Sequence, residues 1–132
     1  MIRDYADWHC VYLFTCSYVY RRFRQWSATE PLLTCEAVIA ETVFHLESAA
    51  VALAMINEGL VALTFNCQEH LIQLARLTDR FADQQPDLAD LCLVRMSELF
   101  PKHSVITIDR TDFQAYRRNK REAIPLLCPP ER

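Results

Sequence analysis

Acidic side chains at the ends of expected elements carry the chemistry this chain can do. The tract DLADLCLVRMSELFPKHSVITIDRTDF, residues 87–113, reads as helix, short turn and strand. It sets Asp90 in the first turn of the helix and Asp109 directly after the apolar strand, with Asp112 close behind. The end of a strand is the edge where open α/β sheets build their sites. A third acid, Glu41, stands inside an earlier apolar helix, with Ala37 and Val38 one turn before it and Phe44 and His45 one turn after. A carboxylate with nothing to bind is costly on such a face. Carboxylates that converge repel one another unless a cation lies between them, and a hard divalent ion with oxygen ligands meets that need.

Each acid also has a plainer account. Asp87 serves as a helix cap and Asp90 as a dipole partner in the first turn; Asp109 and Asp112 are favoured turn residues; Glu41 is one half of a surface ion pair. The basic run YRRNKRE supplies Arg117, Arg118, Lys120 and Arg121, by default a solvated face. Beside a metal site the same cluster would hold phosphates by charge, with Arg110 nearer the scissile group. No Cys/His spacing points to zinc, no glycine-rich loop cradles a nucleotide, and no G-x-S-x-G elbow is present. His45 and His103 are read as structural or exposed.

Short apolar runs alternate with helical stretches and so must position these acids. After Pro31, PLLT reads as a buried strand, and Thr34 caps a helix CEAVIAETVFHL with Ala37, Val38, Phe44 and Leu46 in contact with the core. A second helix, roughly Ser48 to Asn57, ends at Gly59, the only glycine, in a left-handed cap position. LVALTF reads as a strand, and Asn66 to Phe81 as an amphipathic helix with Leu71, Leu74 and Leu77 inward. Pro86 and Asp87 open the next helix, SVITI is a strand, a short turn runs through Phe113 and Tyr116, and AIPLLC is the last strand. Strands separated by helices of this length pair in parallel, which gives a layered α/β fold.

At 132 residues and 52% hydrophobic content the chain is expected to form one domain, residues 1–132. A net charge of -3 announces no nucleic-acid field, so any such binding must come from a local basic cluster. The six cysteines (Cys10, Cys16, Cys35, Cys67, Cys92, Cys128) lie far apart, several within apolar runs, and are read as reduced, mostly buried thiols. With no secretory signal pattern and no apolar run of membrane length, a cytoplasmic protein is expected.

The acids and their flanks resemble the PIN-domain ribonucleases, in particular the VapC-type toxins of bacterial toxin-antitoxin modules. The resemblance runs from about Pro31 to Pro129. PLLTCEAVIAETVFHL is similar to the second strand and acid-bearing helix of that family, mapping its acid to Glu41. DRFADQQPDLADLCLVRMSE maps the third acid to Asp90, and VITIDRTDFQAYRR maps the fourth to Asp109 with Asp112 auxiliary. The resemblance implies a three-layer α/β/α sandwich on a parallel central sheet, with acids gathered at the C-terminal ends of strands. It implies hydrolysis of RNA phosphodiesters with Mg²⁺ or Mn²⁺, a cognate antitoxin protein as partner, a homodimer among its assemblies, and no membrane association. Catalytic roles then fall to Glu41, Asp90 and Asp109, metal ligation to Asp4, Glu41, Asp90, Asp109 and Asp112, and RNA contact to Arg110, Arg117, Arg118, Lys120 and Arg121.

Residues 1 to about 26 depart from that pattern. They hold eight of the fourteen aromatics and a basic knot at Arg21, Arg22 and Arg24. The family opens on an apolar central strand ending in aspartate followed by Ser or Thr. Here Asp4 has about the right distance from Glu41 but is followed by Tyr5, and Asp7 is a second candidate. If CVYLFT is the first strand, it ends near Cys16 and Ser17 with no acid. The bias is read as a misassigned start or a shifted reading frame. Two rivals follow: a non-catalytic PIN-like protein that keeps only partner binding, and a receiver-like phosphate-handling domain, which lacks a convincing lysine after a strand.

Overall fold

The computed structural model describes residues 9–12, 31–106 and 110–127, with backbone alone for 9–12, 45, 46, 106, 110–112 and 127. The alternation of apolar runs and helical stretches becomes a mixed α/β fold with parallel strand pairing. Strand β1 (His9–Tyr12) pairs in parallel with β4 (His103–Ile106), which pairs in parallel with β7 (Leu126–Leu127). Strand β2 (Leu32–Thr34) pairs in parallel with β3 (Val61–Leu63), Leu32 opposite Val61 and Thr34 opposite Leu63. β1, β4 and β7 form one three-stranded sheet and β2 with β3 a two-stranded one, and β1 comes close to β2. Each parallel pairing needs a crossover, and the helices supply it.

Between β2 and β3 run α1 (Glu36–Leu46) and α2 (Ala49–Asn57). Thr34, expected as the cap of α1, is instead the last strand residue. Its carbonyl accepts from the Thr64 amide at 3.0 Å, and the extended cap position falls to Cys35. Phe44, expected inside, is 79% exposed, whereas Val38 is fully buried. The Ser48 hydroxyl caps α2 by accepting from the Val51 amide at 3.2 Å. Gly59 follows that helix at φ +80°, a backbone that side chains rarely tolerate.

The helix expected over 66–81 divides into a 3₁₀ turn (Cys67–His70) and α3 (Leu71–Arg80). The tighter turn changes the phase of the apolar stripe. Leu74 and Leu77 stay buried, while Leu71, at the first position after the turn, is 60% exposed. After a second 3₁₀ turn (Ala82–Gln84) comes α4 (Leu88–Leu99), whose Ala89, Leu91, Cys92, Leu93, Val94, Met96 and Ser97 are all buried. A helix apolar nearly all round must be enclosed, and α4 meets α1, α3, β1 and β4.

After β4 the expected turn through Phe113 is a short helix, α5 (Arg110–Ala115). A hairpin follows, β5 (Arg117–Arg118) against β6 (Glu122–Ala123), with Asn119 and Lys120 in left-handed backbone. No helix among the described residues is long and apolar enough to cross a membrane.

Removing a side chain from the enclosed helix leaves a cavity, so Leu93→Ala is expected to cost about 2–5 kcal/mol. Leu71→Ala, on the exposed end of α3, is expected to change stability by less than about 0.5 kcal/mol. Urea denaturation of the two variants measures the contrast; equal losses would remove α4 from the centre of the core.

Candidate functional site

Two elements bring acids together. α1 carries Glu41 on its half-buried side, and the first turn of α4 carries Asp90, only 8% exposed, behind its cap Asp87. The Asp87 carboxylate accepts from the Asp90 amide at 2.8 Å, an ordinary capping bond. The Asp87 carboxyl also neighbours that of Glu41. Partial burial, then the neighbouring Asp87 carboxyl, then the charge of Asp90 push Glu41 up to about 7.

Asp90 is held from the other side by Tyr116, whose hydroxyl donates to its Oδ2 at 2.9 Å. Tyr116 is 1% exposed and wedged edge-on between Phe81 and Phe113, at ring separations of 5.1 and 5.3 Å. A buried carboxylate is tolerated when its lone pairs are filled in this way. The fold thus fixes Asp90 in one orientation beside the protonatable Glu41.

Of the other expected ligands, Asp4 and Asp109 lie outside the described residues. Asp112 lies in α5, where only the backbone is described. The strand in the N-terminal segment is His9–Tyr12, so Asp4 and Asp7 come before it in the chain and not after it. Among the described residues no group of three or more His, Cys, Asp or Glu side chains could hold a metal ion. The raised value of Glu41, set first by partial burial and then by the neighbouring Asp87 and Asp90, marks a place where positive charge would be favoured.

The basic cluster divides. Arg118 is a correction: it is 4% exposed, donates from Nη1 to the Ser97 carbonyl at 3.0 Å and pairs through Nη2 with Glu122 at 2.6 Å. Its guanidinium pins the hairpin to the C-terminal end of α4, where backbone carbonyls favour a cation, and is not presented to RNA. The Arg118 charge in turn holds the Glu122 carboxyl below its ordinary range. Arg117 is half-buried and spends Nη1 on the Gln114 and Tyr116 carbonyls. Lys120 and Arg121 are exposed; for Arg110 only the backbone is described.

The residues that sequence reasoning missed are Tyr116, expected in a plain turn, and Asp87, expected as a cap alone. No local spacing links either to its long-range partner. A buried aspartate in a helix's first turn does demand a donor, and the aromatic-rich DFQAY segment supplies one. No protein-family model matches the chain, and no curated protein matches it at a significant level.

Glu41 makes stability depend on pH in a definite direction. Its folded value is raised, so from the ordinary carboxylate range up to about pH 7 the folded state holds a proton that the unfolded state has lost. Stability attributable to Glu41 therefore falls as pH rises through that window. Glu41→Gln is expected to stabilise by about 1 kcal/mol at pH 8, the figure discounted for solvent screening, and by nothing at pH 4. Denaturation at the two pH values measures this, and a gain of equal size at both would contradict it. Tyr116→Phe is expected to cost about 1.5–3 kcal/mol, and much less when Asp90 is already Asn. A double-mutant cycle reads that coupling.

Proposed function

We propose that this chain is a PIN-domain protein of the VapC type that acts as a metal-dependent endoribonuclease and is neutralised by a cognate antitoxin. The observation that carries the reading is the packing of the helix after β2, which bears Glu41, against α4, which opens with Asp87 and Asp90. These acids were matched to the family separately, far apart in sequence. The parallel pairing of β1 with β4 and of β2 with β3, with β1 close to β2, supports the same reading, and the three-layer sandwich belongs to this proposal.

On this reading Glu41 and Asp90, joined by Asp109, Asp112 and Asp4, would hold Mg²⁺ or Mn²⁺. When bound, the ion supplies a lowered pKa for water and charge stabilisation on the leaving oxygen. The chain's own residues provide position. Tyr116 keeps one Asp90 oxygen engaged and so orients the other, Asp87 neighbours Glu41, and the exposed Lys120 and Arg121 hold phosphates by charge. Binding of a cation at the acids would release the Glu41 proton.

A second reading, a non-catalytic PIN-like protein that keeps only antitoxin or partner binding, is favoured by one observation. Strand β1 begins at His9, after Asp4, whereas the resemblance needs an acid at the far end of that strand.

Incubating structured RNAs with the protein in Mg²⁺ or Mn²⁺ separates the two. The nuclease reading expects cleavage by wild type and a loss on the order of 10²-fold or more in Asp90→Asn. If wild type is as inert as Asp90→Asn while both remain folded, the nuclease reading fails and the binding-only reading stands.

A further inference from the structure

Three thiols from distant parts of the sequence meet beside α4. Cys92, in the second turn of that helix, is fully buried; Cys35, just before α1, is 1% exposed; Cys67, at the start of the 3₁₀ turn, is half-buried. The sulfurs of Cys67 and Cys92 stand 3.3 Å apart, and Cys35 lies near enough to Cys92 for the two thiols to perturb one another. All three are free thiols. A disulfide needs a sulfur separation of about 2.0 Å, so the two sulfurs must approach by a little over an ångström. The contact is graded in access, because an oxidant from solvent reaches Cys67 before it reaches Cys92.

We propose that Cys67 and Cys92 form a site of reversible oxidation, in which a hydroperoxide oxidises Cys67 and Cys92 resolves it to a disulfide. The Cys67 sulfur attacks the peroxide, the O–O bond breaks, and the products are a Cys67 sulfenic acid and, with hydrogen peroxide, water. The Cys92 sulfur then attacks the Cys67 sulfur; the S–S bond forms, the S–O bond breaks, and the hydroxyl leaves as a second water with the Cys92 proton. In sum two thiols lose two hydrogens and one peroxide becomes two waters. The bond ties the turn at the start of α3 to the helix that carries Asp90, across a sequence separation of 25 residues. A dithiol reverses it by exchange. This inference is independent of the nuclease reading, since it uses no carboxylate and no metal.

The test is peptide mapping of the full chain after brief treatment with a small excess of hydrogen peroxide under native conditions, followed by alkylation of remaining thiols. Trypsin together with a glutamyl endopeptidase is needed, because cleavage after Glu47 and Glu58 separates Cys35 from Cys67. The expected result is a Cys67–Cys92 linked pair lighter by two hydrogens, lost on treatment with dithiothreitol. In Cys67→Ser, at a half-buried position whose folding is checked by circular dichroism, Cys92 is expected to remain a thiol at the same peroxide dose. Linkage of Cys92 to any other cysteine, Cys35 included, would overturn the assignment. So would oxidation of Cys67 to sulfinic acid with Cys92 still a thiol, or no change at either residue.

Discussion

Enclosure of α4 is the constraint on which the rest of the molecule depends. Eight of its twelve residues are buried, so helices, strands and the hairpin must close around it to remove that surface from water. The sheet alone could not do this, since its described strands have only two to four residues. The core therefore centres on a helix, with Val38, Leu74, Leu77, Val105, Phe113, Tyr116 and Ile124 packed around it. Several polar groups swept inside by this closure have partners, although Thr34 Oγ1 and Arg118 Nε are buried without a hydrogen bond. Ser97 donates to the Val94 carbonyl, Arg118 reaches the Ser97 carbonyl, and Tyr116 meets Asp90.

That enclosure also creates the two reactive neighbourhoods. Asp90 and Cys92 lie within one turn of each other on α4, and the same packing of α1 against α4 brings up Glu41 and Cys35. In the first neighbourhood like charges are crowded and a proton is retained; in the second, thiols are crowded and a covalent bond lies within reach. The second follows from close approach in an interior that admits little water, whereas the first lies at a half-exposed edge, where burial of Glu41 is partial. A helix on the surface would have allowed these side chains to turn away from one another.

Local patterning carried the element order well. Pro86 and Asp87 do open a helix, Ser48 does cap one, and Gly59 does take the left-handed backbone, because these are short-range demands made by individual residues. Errors came where a neighbour in space overrode the local preference. Thr34 stayed in its strand because β3 offered hydrogen bonds, Leu71 was left outside by the 3₁₀ turn before it, and the region of Phe113 became a helix with Phe113 packed against Tyr116. Arg118 was read as solvated because nothing in YRRNKRE distinguishes the one arginine that the hairpin turns inward against the end of α4.

Residue order alone is enough to say which segments are apolar, where helices can start and stop, and that acids and thiols stand at or near those boundaries. Those properties depend on residue type and on neighbours within a turn or two. Packing in three dimensions sets which helix Glu41 meets, that Tyr116 holds Asp90, and that scattered cysteines come together. Such pairings are set by how an enclosed helix is packed from several sides at once, and that geometry is not periodic in the chain.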